Sequence, residues 1–145
     1  MTAETAVSAN PTYLEGGDPA FADYRPAWIG KLAADVTLEG SAMNGAVQGA
    51  DVVRTIVTYI RSLYEQQEFK FAGPYGERGF VEDYTAKFGG ETIGNVVLIK
   101  FNDAGEAQHV VANYRPRDAL VHISQLIGDH FAGTPCGAYF ATSPD

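Results

Sequence analysis

Cysteine is almost absent: Cys136 is the single one in 145 residues. An internal disulfide and a cysteine-based metal cluster are therefore excluded, and a reducing, cytoplasmic compartment is the expectation. Positive charge is scarce as well. Ten Lys and Arg stand against eighteen Asp and Glu, a net charge of −8. The deficit is even, with five cations and nine anions in residues 1–72 and the same in 73–145. Such a field repels phosphate backbones and anionic headgroups, so neither nucleic acid nor a membrane surface is an expected partner. No apolar run approaches the roughly 20 residues of a membrane-spanning helix. The first 24 residues hold no Lys or Arg and no long apolar core, so no secretory signal is expected. Metal-ligand spacing is lacking: His122 and His130 stand alone on one segment, and no metal or cofactor is expected. Gly45 and Gly49 lack the ending of a phosphate loop. Cys136 has no cationic neighbour to activate it.

What is present is apolar residue in quantity, 46%, too much for a disordered chain and enough for one packed domain. Residues 1–20 are small, polar and interrupted by Pro and Gly, and read as an N-terminal arm. Residues 21–34 read as a short irregular helical stretch with Trp28, Ile29 and Leu32 on one face, and Val36–Glu39 as a strand ending at Gly40. From about Ala50 to Tyr64 the residues Val52, Val53, Ile56, Val57, Ile60, Leu63 and Tyr64 recur at helical spacing. The period then changes to two over 68–71, 80–88, 95–101 and 107–115, with turn signals at Gly89-Gly90 and 102–105. Consecutive strands with short turns predict an antiparallel sheet. Pro116 ends it and opens a helix to about Phe131, and 132–145 is a C-terminal tail. The domain proper is thus expected over 21–131. Helices first and strands afterwards is an α+β pattern.

Three segments, LAADVTLEG (32–40), GAVQGADVVRTIV (45–57) and VVLIKFNDAGEAQHVVANY (96–114), carry a family resemblance. In order and spacing the chain over about 24–115 resembles the cystatin-like α+β cone of the nuclear transport factor 2-like superfamily, and within it the SnoaL-like branch. That resemblance implies a curved antiparallel sheet wrapped around an amphipathic helix, here with an added C-terminal helix, and an internal pocket. Members include polyketide cyclases, ketosteroid isomerases, dehydratases, epoxide hydrolases and pure binding proteins, and most are dimers. The steroid-isomerase branch places a proton-moving carboxylate at the end of the first strand, where this chain has Gly40. It places an oxyanion-holding acid where this chain has Val97, and its helical tyrosine has no secure match. The epoxide-hydrolase branch needs an arginine among the inward positions, and none is assigned here.

The resemblance also implies which faces point inward: Leu38, Gly40, Phe80, Glu82, Tyr84, Ala86, Val97, Ile99, Phe101, Val110, Ala112 and Tyr114, with Val53, Ile56, Val57 and Ile60 from the helix. A set this apolar suits a neutral aromatic or polyketide-like ligand. Glu82 is its one carboxylate. Desolvated, it has a raised pKa and can move a proton near neutral pH; at the cone mouth it is a solvated or paired acid. Tyr84 and Tyr114 either orient a ligand carbonyl or are core aromatics with satisfied hydroxyls. Val96, Leu98, His109, Val111 and Asn113 fall on the opposite face, where a second copy of the chain would cover the aliphatics. A shift of parity by one residue would instead bring His109, Asn113 and Asp83 into the pocket. Three functions remain open: a small-molecule binding protein, an isomerase, cyclase or dehydratase using Glu82, and a dimerisation module with a filled cone.

Overall fold

The computed structural model describes residues 12–142; of the arm expected over 1–20, residues 1–11 lie outside the described residues, as do residues 143–145 of the tail expected over 132–145. The described elements run β1 (Leu32–Gly40), β2 (Val47–Gln48), α1 (Ala50–Leu63), β3 (Gln66–Tyr75), β4 (Gly79–Phe88), β5 (Glu91–Phe101), β6 (Ala107–Arg115) and α2 (Arg117–His130). Short 3-10 turns at Thr12–Leu14, Pro19–Phe21, Trp28–Gly30 and Pro135–Tyr139 complete them.

The apolar stripe of α1 is buried through Val53, Ile56 and Ile60. Its start depends on Gly49, whose φ of 126° lies where other residues rarely go. There the Gly49 N–H donates to the Val36 carbonyl and the Gly49 carbonyl accepts from Val53, so β1 and α1 are joined through one residue. Strands β3 to β6 form the expected antiparallel meander. The curved sheet has the order β2-β1-β6-β5-β4-β3. One pairing departs from the antiparallel expectation: β1 runs parallel to β6, so the sheet is mixed. The meander returns β6 to the side of β1, a long-range pairing that adjacent turn signals cannot specify.

Other departures are local. The stretch expected to be helical over 21–34 is instead a pair of separate 3-10 turns followed by β1 from Leu32. Pro26 supplies no backbone donor and Gly30 weakens helix, so no long helix propagates there. Strand β2 has two residues, too few to show a period. Strand β3 extends through Gly73 and Pro74 to Tyr75; as an edge strand it tolerates a proline whose missing donor costs no ladder bond.

The core lies between the inner sheet face, α1 and α2, with Val36, Val53, Ile56, Ile93, Ile99, Ile123 and Ile127 at its centre. Residues 13–18 lie along the outer face. Lys70 Nζ donates to the Glu15 carbonyl at 3.0 Å, Thr85 Oγ1 to the Gly16 carbonyl at 3.3 Å, and the Asp18 N–H to the Phe69 carbonyl at 2.9 Å. After α2, Phe140 is buried and bridges to Met43, while Ser124 Oγ donates to the Ala42 carbonyl and accepts from Ala141 N–H.

Candidate functional site

Alternation and register together place the site. Even-numbered residues of β4 and β6 and odd-numbered residues of β5 share the face toward α1. Three cross-strand rows result: Phe80–Ile99–Val110–Leu38, Glu82–Val97–Ala112–Gly40, and Tyr84–Asn95–Tyr114. Glu82 thus sits in the middle of an aliphatic surface and is only 2% exposed.

An inner cavity of about 50 Å³ lies against these rows. Of the sequence-derived candidates, Glu82, Tyr84, Tyr114, Leu38, Val57, Ile60, Val97, Val110 and Ala112 line it. Gly40 and Ile56 instead border an adjoining void of about 20 Å³. Val53 and Ile99 are packed core, and Phe80 stacks on Tyr24 at 6.2 Å between ring centroids. His109 and Asn113 are exposed on the opposite face. His109 Nδ1 bonds Thr37 Oγ1 at 2.8 Å, whereas Asp83 is held by Arg115 at 3.1 Å and by the Tyr13 hydroxyl. No His109–Asp83 pair forms.

Two residues hold Glu82. The Tyr24 hydroxyl and the Trp28 indole N–H, the latter at 3.1 Å, both donate to Oε2. Oε1 has no protein partner among the described residues and borders the cavity. Burial raises the Glu82 pKa above its ordinary value of 4.5, against the opposing pull of the two donors and of Arg61. Tyr24 is pushed far above its usual range by burial and by the carboxylate it faces.

A second polar group is made of tyrosines. Tyr84 and Tyr64 hydroxyls are 2.8 Å apart, Asn95 Nδ2 donates to the Tyr84 oxygen at 2.7 Å, and Tyr114 follows Asn95 in the same cross-strand row. Asn95 is fixed in turn by accepting the Asn113 N–H on Oδ1 at 3.0 Å. Burial pushes Tyr84 up to about 12 and raises Tyr64 and Tyr114 well above their usual value, so all three stay protonated. Tyr64 and Tyr84 share one hydrogen bond in which either hydroxyl can be the donor, so the pair has one O–H proton more than it has links. With Tyr64 donating, the free proton is on Tyr84, which lines the cavity together with the Tyr114 ring.

Sequence reasoning missed Tyr24, Asn95, Tyr64, Gln67 and the polar role of Trp28. Asn95 was accessible to it, standing two positions before Val97 on the same face. The expectation of no inward arginine is corrected: Arg61 borders the cavity. Its backbone lies on the exposed side of α1, and the long side chain reaches round to the rim.

No protein-family model matches the chain, and no curated protein matches it. Solved structures do. An uncharacterised, bacterially conserved protein with a cystatin-like fold from Silicibacter pomeroyi DSS-3 superposes with a TM-score of 0.69 at 17% identity, over 83% of this chain and 91% of its own. The chain folds as a cystatin-like cone. A steroid delta-isomerase from Pseudomonas aeruginosa gives a TM-score of 0.66 at 20% identity, covering 72% of this chain and 77% of its own. An NTF-2 like protein of unknown function from Burkholderia xenovorans LB400 gives 0.52 at 12% identity, with 59% and 66% covered. These likenesses show the cone fold that the sequence resemblance implies. No helix among the described residues is long and apolar enough to cross a membrane.

Proposed function

We propose that the chain is a SnoaL-like small-molecule binding protein whose cone takes a neutral, aromatic or polyketide-like ligand. One observation carries this reading: the carboxyl group of Glu82, a residue only 2% exposed, and the Tyr84 hydroxyl, whose proton is free when Tyr64 donates to it, line a cavity that is otherwise mostly aliphatic and aromatic. Leaving such groups without partners is costly, and a ligand with one donor and one acceptor satisfies both. The inner cavity has room only for the ligand's polar head. Beside it, sharing Pro26, Arg61 and Gln67, lies a basin of about 550 Å³ that can receive the rest. The test is a thermal-shift panel of neutral aromatic and polyketide-like compounds on the whole protein. At least one should raise Tm as binding to the native state requires. If none does while light scattering shows an intact dimer, the filled-cone dimerisation module stands instead.

A second reading has its own support. Glu82, with its raised pKa, and the tyrosine donors share one face, which is the acid/base and electrophile pairing of an isomerase, cyclase or dehydratase. Glu82→Gln and Tyr84→Phe would each then abolish turnover of a compound found to bind, while leaving binding within a few-fold.

The outer sheet face supports a homodimer. Val81, Leu98 and Val111 stand directly opposite one another across β4, β5 and β6, and all remain partly exposed. The half-exposed Val96 and the exposed His109 and Asn113 flank them. A cytoplasmic location fits the lone, buried and unpaired Cys136.

A further inference from the structure

The segment between β1 and the arm is attached differently from the rest of the chain. At one end the Asp18 N–H donates to the Phe69 carbonyl; at the other the Ala107 N–H donates to the Lys31 carbonyl. Between these anchors, over 19–30, the backbone hydrogen bonds described are all local: Phe21 to Asp18, Ala22 to Pro19, Tyr24 to Phe21 and Gly30 to Ala27. Nothing in that backbone is tied to the sheet. Side chains alone hold the strap down. Phe21 meets Phe71 edge-on at 5.6 Å, Tyr24 meets Phe69 at 4.8 Å, and Tyr24 and Trp28 donate to Glu82. Glycines flank it: Gly16 with a φ of 64° and Gly17 on one side, and on the other Gly30, with open space around it.

The strap also separates the two volumes. The outer basin is bordered by Phe21, Tyr24 and Arg25, the inner cavity by Trp28 and Ile29, and Pro26 borders both. A molecule in the basin therefore meets Tyr24 before it meets Glu82. What Tyr24 presents to the carboxylate is a phenol, and what Trp28 presents is an indole.

We propose that Tyr24 and Trp28 are a built-in stand-in for the ligand, and that a planar aromatic molecule bearing an O–H donor displaces the strap and takes over the Tyr24 bond to Glu82. The proposal rests on the ligand-binding reading and narrows it to phenol-class compounds. The closed strap supplies Glu82 with donors when no ligand is present, which keeps a buried carboxyl group from being orphaned. Binding then exchanges one phenol for another. The exchange is selective because an aromatic without a donor leaves Oε2 one bond short.

Trp28 is the only tryptophan in the chain, so its emission reads the strap directly. Whole wild-type protein, Tyr24→Phe and Glu82→Gln are titrated by calorimetry with para-cresol and with its methyl ether, which has the same ring but no donor. Wild-type protein should prefer para-cresol, with a change in Trp28 emission that follows the calorimetric isotherm. Tyr24→Phe keeps the ring and loses the competing hydroxyl, so para-cresol should bind on the order of tenfold more tightly. Glu82→Gln should lose most of the preference for para-cresol over the ether. Equal affinity for the two probes in wild-type protein overturns the proposal, as does para-cresol binding that leaves Trp28 emission unchanged. If neither probe binds while compounds of the thermal-shift panel do, the strap proposal falls and the ligand-binding reading stands. If nothing binds at all, both fall.

Discussion

Gly40 lies so close to Ala112 that a Cβ built on it would stand 1.9 Å from the Ala112 carbonyl oxygen. The two residues are register partners across the parallel β1–β6 pairing. The steroid-isomerase resemblance puts its proton-moving carboxylate at this position. Here the backbone of β6 fills the space that any side chain would need. The missing base is thus a property of how the two strands pack, and a point substitution cannot restore it. Gly40→Ala should cost at least about 1–3 kcal/mol, as overpacking does, and Gly40→Asp more. Urea unfolding of both variants checks this; a Gly40→Asp protein as stable as wild type would show that β1 and β6 are free to part.

The tyrosine group gives a second expectation. Tyr84→Phe removes the acceptor that Asn95 Nδ2 uses at 2.7 Å, in a residue only 2% exposed. An amide donor stranded there should lower stability by about 1–3 kcal/mol. The test compares Tyr84→Phe with Tyr59→Phe, whose ring lies over His130 outside this network. Equal, small losses in chemical denaturation would contradict the role given to Asn95.

Glu82 predicts a pH dependence of definite sign. Its folded-state pKa is raised from 4.5, mainly by burial. The folded chain therefore holds this proton more tightly than the unfolded chain. Its contribution to stability is fully present below 4.5 and is lost as pH rises through the raised value. Glu82→Gln removes that slope. Relative to the variant, wild-type protein should lose stability as pH climbs from 4.5 toward neutrality. Unfolding midpoints of the two proteins across that range should diverge; parallel curves would mean that Glu82 has an ordinary pKa.

The apolar row on the outer face gives the fourth. Leu98 lies between Val81 and Val111, away from the Asp83–Arg115 end, where Tyr13 of the same chain packs over the guanidinium at 4.4 Å. Leu98→Arg should leave the monomer folded, because a partly exposed side chain makes few core contacts, and should dissociate a dimer formed through this face. Light scattering would show the mass halved. An unchanged mass would move the interface elsewhere.

The inner face was legible because two signals coincide there. Period-two alternation in β4, β5 and β6 separates two faces, and the family resemblance says which one is inside. Glu82, Tyr84 and Tyr114 follow from that combination, as does the placing of His109 and Asp83 outside. The partners of Glu82 were not legible. Trp28 and Glu82 are 54 positions apart, and the strap that carries Trp28 has no repeat to read. Its 3-10 turns look in sequence like a broken helix, so Trp28 was assigned to an apolar helical face. Tyr64 was recognised as part of the α1 stripe, but it lies just past the helix end, with extended backbone, and from there its hydroxyl meets Tyr84. Local pattern shows which way a side chain points. It does not show which polar group from a distant segment will meet it.

The hydrogen bond between Tyr64 and Tyr84 has a consequence of its own. The Tyr64–Tyr84 bond has a polarity, and it can reverse: with Tyr64 donating, the Tyr84 proton is free toward the cavity, and with Tyr84 donating it is not. Reversal rotates two O–H bonds and moves no heavy atom. Asn95 can donate to Tyr84 in either arrangement, so the amide does not choose between them. An acceptor arriving at Tyr84 would select the orientation in which Tyr64 donates. Under the ligand-binding proposal, Tyr84 thus becomes a donor on demand with one fixed set of side chains.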